Sequence, residues 1–293
     1  MKRAITFFFL FVGLLGFGQD RFAKIQIEVI PVNDNVYMLK GGGGNIGITT
    51  GDDGVFMVDD QFAALSEKIQ NAIKTITKQD VRFLINTHFH GDHTGGNINF
   101  EAAGATIVAH DNVRKRLAAD ERTAGSGLPV ITFSDDATFY MNGNDIFVTH
   151  VHNAHTDGDA LVYFAQSNVL HTGDTFFNGM YPFIDIKRGG SIDGDIAAAK
   201  KGLLLINDDT KIIPGHGSIA TKEDYKNYLK MLEDIRDNVA KAISSGKSED
   251  QIIKDESLTS AFYSDEEASK FFIKGTTIRQ TVYRSLQNPP VQE

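Results

Sequence analysis

Residues 81–97 read VRFLINTHFHGDHTGGN: a nearly unbroken apolar run gives way to three histidines and an aspartate within six positions. A short apolar run of this kind reads as a strand buried on both faces. Whatever the chain folds into, a buried strand must therefore end where a cluster of metal-ligand side chains begins. His88 and His90 are two apart on extended backbone and so project to one side. Asp92 and His93 follow on a turn at Gly91, and Thr94-Gly95-Gly96-Asn97 lets the chain enter a helix tightly. Such a turn offers four ligands to two adjacent cations but cannot complete two coordination shells. More ligands must come from elsewhere.

Three later places supply them. His155 precedes a small-residue turn in NAHTDGD, Asp174 ends the strand of VLHTGDTFF, and His216 sits between glycines after the strand of IIPGHG. Each is a ligand type at a strand end, where loops carry chemistry and strands fix position. The chain has no cysteine, so a metal site must use nitrogen and carboxylate oxygen. The other histidines read differently. His110, His150 and His171 look like strand-end or supporting residues, and His152 at most donates a hydrogen bond to a ligand. Asp59, at the end of GVFMVDD, either orients a ligand histidine or caps the next helix.

The remaining pattern places the site in an α/β fold. KIQIEVI, NVYMLK, NIGITT and GVFMVDD read as strands, with the Gly41–Gly44 run as a flexible hairpin. Phe62, Leu65, Ile69, Ile73 and Ile76 recur at helical spacing, which predicts a helix over 62–78. A strand at 105–110 leads to a helix that Asp111 would cap. Strands around TFYM, DIFVTHV, ALVYFA and NVLHTG follow, then the helix SIDGDIAAAKKGLLLI, the strand of TKIIPGHG and a long helix from EDYKNYL. This order fits mixed sheets whose outer faces are covered by helices.

HFHGDH, HTDGD, GDTFF and PGHG, in this order, resemble the metallo-β-lactamase superfamily of dinuclear metallohydrolases, over roughly residues 25–235. The resemblance implies an αββα sandwich with the site along one edge, between the two sheets. It implies that His88, His90 and His155 hold one metal, that Asp92, His93 and His216 hold a second, and that Asp174 bridges them. It divides the chain into a catalytic domain over 19–237 and a C-terminal helical extension over 238–293.

A thiolate-free ligand set suits two divalent cations, with zinc the first expectation and iron, manganese or cobalt compatible. Two such cations lower the pKa of a shared water to about 7. The expected chemistry is hydrolysis of a small ester, lactone or amide-like bond by metal-bound hydroxide, which Asp92 would orient. An aspartate at 174 looks more like the lactonase and glyoxalase II branches than like β-lactamases with cysteine or serine there. Glyoxalase II prefers a Lys/Arg-rich pocket for glutathione, which export would separate from the enzyme. A true β-lactamase is the near alternative, and an iron-dependent persulfide dioxygenase is the alternative from another class. Phe176, Phe177, Tyr181 and Phe183 follow Asp174 and are expected to wall the substrate pocket.

Lys2 and Arg3 precede the apolar run ITFFFLFVGLLGF, and Gly16 and Gly18 are small enough for a signal peptidase. Residues 1–18 thus read as a cleaved leader, with export to the periplasm or medium and no lasting membrane anchor. Losing those two cations takes the formal charge from −9 to −11. So acidic a protein is a poor nucleic-acid binder, which leaves a small-molecule substrate; the sequence leaves the oligomeric state open. Mass spectrometry of protein from its own cells should find Gln19, free or cyclised, at the N-terminus. An intact Met1 on a soluble cytoplasmic product would overturn the export reading.

Overall fold

The computed structural model describes residues 21–121 and 125–290; the expected leader and the expected terminus at Gln19 lie outside them. Seven strands form the first sheet in sequence order: β1 (Glu28–Asn33), β2 (Val36–Lys40), β3 (Ile46–Gly51), β4 (Gly54–Val58), β5 (Val81–Asn86), β6 (Thr106–His110) and β7 (Ile131–Phe133). β1 to β4 are antiparallel, and β4 to β7 are parallel. The second sheet runs β12-β11-β10-β9-β8, from β8 (Asp136–Met141), β9 (Asn144–His150), β10 (Ala160–Phe164), β11 (Val169–His171) and β12 (Lys211–Ile213). Its β11–β12 pair is parallel.

Alternation along the strands builds three layers of core. On β4 every residue is buried. Phe56 and Val58 point between the sheets, where they meet Ile146, Val148, Val162 and Phe164 of the second sheet. Val55 and Met57 point the other way, onto Leu65, Ile69 and Ile73 of the helical segment that follows. This is the period-two geometry of a strand covered on both faces. The first sheet's outer face carries α1 (Ser66–Lys74), and the loop to β6 holds α2 (Gly91–Thr94) and α3 (Asn97–Ala102); α4 (Asp111–Ala118) follows β6. The second sheet's outer face carries α5 (Ile192–Leu205) and α6 (Lys222–Ser244), whose Tyr225, Tyr228, Met231, Leu232, Ile235 and Val239 share a core with Leu161, Leu170 and Ile212. The architecture is the expected αββα sandwich.

Local details depart from the sequence expectations. The helix expected over 62–78 is a 3-10 turn at Ala63–Leu65 followed by α1, since the chain must leave helix geometry to reach β5. Asp111 does not cap α4; it lies in the first turn, and the His110 imidazole accepts the Asn112 N–H instead. The extension expected from 238 begins in the middle of α6, which Thr221 and Asp224 start with a capping box. No helix among the described residues is long and apolar enough to cross a membrane.

Beyond α6 the chain adds α7 (Glu249–Lys254), α8 (Asp265–Ala268) and α9 (Gly275–Gln287). Val282 and Ile278 of α9 and Ile252 of α7 enter the same core as α5 and α6. A buried cation ties the tail together. The Arg279 guanidinium is fully buried and donates to both carboxylate oxygens of Asp265, to Thr259 Oγ1 and to the Ile253 carbonyl. Removing one partner of such a network leaves the others unpaired. Arg279→Ala should lower unfolding stability by about 3 kcal/mol, the low end for a broken buried pair because Asp265 is partly exposed. Denaturant unfolding checks this, and an unchanged midpoint would show that the apolar contacts alone hold the tail.

Candidate metal centre

The parallel strand pairs deliver their C-terminal ends to one edge of the sandwich. β4 and β5 bring Asp59 and His88 there, and β11 and β12 bring Asp174 and His216. His88 and His90 do project together: their rings are 4.9 Å apart, and each is 4.7 Å from the ring of His155. His155 Nε2 and His90 Nδ1 lie 2.8 Å apart. Two nitrogens on one tetrahedral zinc would be about 3.3 Å apart, so this trio is nearly at bonding geometry. The ligand atoms of Asp92, His93 and His216 form a second group, and those of His88, His93 and Asp174 span the space between.

Asp174 faces both groups. Its Oδ2 is 3.9 Å from His88 Nε2, 3.7 Å from His155 Nε2 and 3.4 Å from His216 Nε2, while Oδ1 is 3.1 Å from His93 Nε2. Asp92 Oδ2 is 3.4 Å from His216 Nε2 and 3.8 Å from His93 Nε2. Despite their approach, His93 Nε2 and Asp174 Oδ1 make no hydrogen bond, and both are buried without a partner, as is His88 Nε2. Polar atoms orphaned in this way cost free energy unless something satisfies them. Here they converge on common points, which is what cation ligands do. All seven residues expected as ligands meet at this edge.

The other ring nitrogens are committed elsewhere, and that sets the tautomers. His93 Nδ1 donates to Asp59 Oδ2 at 2.7 Å. Thr87 donates its hydroxyl to the same oxygen and its backbone N–H to Oδ1, and the hydroxyl oxygen accepts from His88 Nδ1 at 3.0 Å. His155 Nδ1 donates to the Phe183 carbonyl, and His90 Nε2 to Asp185 Oδ2 at 3.2 Å. Each imidazole is left with one lone pair, pointing inward. Asp59 therefore orients a ligand; the alternative of a helix cap does not hold.

Some supporting residues escaped sequence reasoning. Gln61 accepts the Gly42 N–H and donates to the Gly44 carbonyl, and Asp60 accepts the Gly96 N–H. Burial, then the Asp59 charge, pushes the Asp60 carboxyl well up. Asp159, not Asp157, ties the HTDGD turn by accepting from the N–H and hydroxyl of Thr156, while Asp157 pairs with Arg116. Asp185 lies beyond any motif, at the start of a 3-10 turn over Ile186–Arg188, and carries no sequence signal. The Gly41–Gly44 run has a reason other than flexibility: a Cβ on Gly44 would sit 2.0 Å from the His93 ring.

His171 supports the site without joining it, by donating to the Asn45 carbonyl and accepting the Gly173 N–H. His150 and His110 stack on each other at 3.8 Å, and His152 is exposed and donates to no ligand. The expected aromatic wall needs correction. Phe176 is core, packed on Tyr225 and Tyr228, and Tyr181 is core, its hydroxyl donating to the carbonyls of Thr259 and Tyr263. Phe177 is buried but stacks on His216, with centroids 5.2 Å apart. Of these four, Phe183 borders the centre while partly exposed, 5.7 Å from the His90 ring and 5.5 Å from that of His155.

Electrostatics separate the two groups. Burial, with the neighbouring imidazoles, keeps His88 well below the usual histidine range and His155 down at about 4. Burial also acts on His93 and His216, but the Asp174 charge, joined by Asp59 and Asp92, overrides it: His93 is raised and His216 reaches about 9. Burial would raise Asp174 and Asp92, but the His93 and His216 imidazoles hold Asp174 well down, and His93 above all holds Asp92 at about 2.

The sequence profile described as the metallo-beta-lactamase superfamily matches residues 30–216. A hydroxyacylglutathione hydrolase of a Polaromonas species is 30% identical over 138 residues, 46% of this chain and 48% of that enzyme, so the chain spans about half of that relative. A metallo-beta-lactamase from Pontibacter korlensis superimposes with a TM-score of 0.63 at 22% identity, covering 71% of this chain and 100% of that one. A sec-alkyl sulfatase reaches 0.71 at 14% identity, covering 89% of this chain and 50% of that one. At such identities the structural likenesses speak for the fold.

Metal binding needs neutral imidazoles. The trio of His88, His90 and His155 includes two rings that shed their protons well below neutrality. A cation between Asp92, His93 and His216 must instead displace protons held, at His216, up to about pH 9. Affinity there falls about tenfold per unit as the pH drops below the value at which each displaced proton is held. Zinc titrations of metal-free protein at about pH 8.5 and then about pH 6.5 should show the equivalent at Asp92, His93 and His216 weakened more than the other. Equal pH dependence of both equivalents would overturn the assignment.

Proposed function

The chain belongs to the metallo-beta-lactamase superfamily, and from that premise we propose that it is a dinuclear metal-dependent hydrolase of small esters, lactones, thioesters or amide-like acyl compounds. The observation that carries this reading is Asp174, a buried carboxylate that lies between the two groups, its Oδ2 within 3.9 Å of His88, His155 and His216 and its Oδ1 3.1 Å from His93. His88, His90 and His155 would hold one divalent cation, and Asp92, His93 and His216 the other, with Asp174 shared. The donors are nitrogen and carboxylate alone, a set that zinc accepts readily. Such a pair supplies Lewis acidity for a carbonyl and lowers the pKa of a bound water to about 7.

The protein's own groups do the rest. Asp92 is ionised at neutral pH and about one-third exposed, so it can accept a hydrogen bond from the attacking water and aim its lone pair. Asp59, Thr87 and Asp185 keep the histidine lone pairs fixed, which limits reorganisation during the reaction. The sandwich edge is open at His90, Asp92, Asp185 and His216, which are 19, 30, 18 and 28% exposed. The Polaromonas relative's name supports an acyl-transfer substrate, and a thioester joins the expected esters and lactones on that ground. The β-lactamase reading rests on shared fold alone.

The test is a panel of lactones, activated esters, thioesters, β-lactams and phosphodiesters, offered to protein of measured metal content. We expect turnover of lactones, thioesters or activated esters with two metals per chain. Asp174→Ala should retain about one metal and lose roughly 100-fold or more in turnover, the scale of removing a main electrostatic stabiliser. Cleavage of phosphodiesters only, or a lone iron with oxygen-dependent chemistry, would overturn the proposal.

A further inference from the structure

Phe272 is 79% exposed, yet its neighbours are not free. Ile273 is buried in the core shared by α5, α6 and α9, and Phe271 packs its ring on Tyr263 and Tyr181 at 4.9 and 6.1 Å. The backbone on both sides is thus clamped, and the ring of Phe272 is held out into solvent. It is held at a particular place. Its centroid lies 6.1 Å from that of Phe183, nearly edge-on, and Phe183 in turn packs on His90 and His155. The two phenylalanines continue one apolar wall from the ligands of the first cation outward to the rim.

The other side of the opening is polar. It carries Asp92 and His216, with the backbone of Gly43 and Gly44 against Asp92 and His93. A substrate lying across the centre therefore meets hydrocarbon at Phe183 and Phe272 and charge at Asp92, Asp185 and His216. A leaving oxygen or sulfur, which gains charge as the bond breaks, suits the polar side, and an apolar substituent on the acyl carbon suits the wall.

Resting on the hydrolase reading above, we propose that Phe272, carried into the site by the C-terminal extension, forms with Phe183 a specificity subsite for an aromatic or branched aliphatic acyl group. Phe272 touches no ligand atom, so its role is selection among substrates. The extension thereby does more than cover the second sheet: it completes the substrate site of the domain on which it packs.

The experiment compares p-nitrophenyl phenylacetate with p-nitrophenyl acetate, which share a leaving group and differ only in the acyl side. Phe272→Ala should lower kcat/KM for the phenylacetate roughly tenfold or more, chiefly through KM, and change the acetate less than about twofold. Metal content and thermal midpoint should stay at wild-type values, and Phe272→Leu should recover part of the loss. Equal losses on both esters, or none, would overturn the subsite while leaving the hydrolase reading intact. Calorimetric binding of phenylacetate and of acetate to the metal-loaded protein separates the two claims from the other direction. Phenylacetate bound more tightly in a Phe272-dependent way, without hydrolysis of either ester, would keep the subsite and remove the reaction. Equal binding of the two acids, unaffected by Phe272→Ala, would remove the subsite.

Discussion

A buried imidazole can offer a lone pair to a cation only if its other nitrogen keeps its proton on an acceptor. The Asp59 carboxylate meets that requirement for two histidines at once. It accepts a hydrogen bond from His93 Nδ1 directly, and it accepts one from the Thr87 hydroxyl, so that the same hydroxyl oxygen is free to accept from His88. The Phe183 carbonyl and the Asp185 carboxylate perform the same service for His155 and His90. Everything else at the sandwich edge follows from holding these acceptors still. Without them each ring could turn or change tautomer, and the inward lone pairs would be lost.

That rigidity has a conformational cost. Asp59 and Gln61 both adopt positive φ, at 62° and 59°, a region where side chains other than glycine are uncommon. Strained backbone of this kind persists where the surroundings over-determine it. Here they do: β4 is buried on both sides before Asp59, Thr87 and His93 grip its carboxylate, and Gln61 is bonded across to Gly42 and Gly44. Close approach adds its own demand, because a Cβ on Gly215 would lie 2.1 Å from Asp174 Oδ1. A carboxylate shared between two ligand groups leaves no room for a side chain beside it.

The C-terminal helices illustrate how a tail becomes part of a site. Tyr181, on the loop after Asp174, is buried against them and donates to carbonyls at Thr259 and Tyr263. The same loop goes on to Phe183 and Asp185, which hold His155 and His90. One loop thus joins the extension to the ligands. An aromatic run that the sequence suggests as pocket wall is mostly spent on this joint, and the exposed ring at the rim comes from the tail.

The seven candidate ligands were legible because their chemistry is local: motifs at strand ends, of ligand type, in a fixed order, with no cysteine to compete. The layered fold was legible for a similar reason, since apolar runs such as VRFLIN and the spacing of Leu65, Ile69 and Ile73 record which faces are covered. Other features were beyond any reading along the chain. Whether Asp59 capped a helix or gripped His93 depended on where a loop 34 residues later would pass. That Asp185 would meet His90, 95 residues away, and that Phe272 would stand beside Phe183, carried no periodic or compositional mark. Phe176 and Tyr181 looked no different from Phe183 in sequence, yet packing against α6 and the tail buried the first two and left the third at the opening. The sequence by itself determined which side chains of ligand type stand at strand ends and which strands carry them. Tertiary structure alone decided which groups hold those side chains in place and which aromatics stand at the opening, because contacts between distant segments are set by how layers pack and not by local preference.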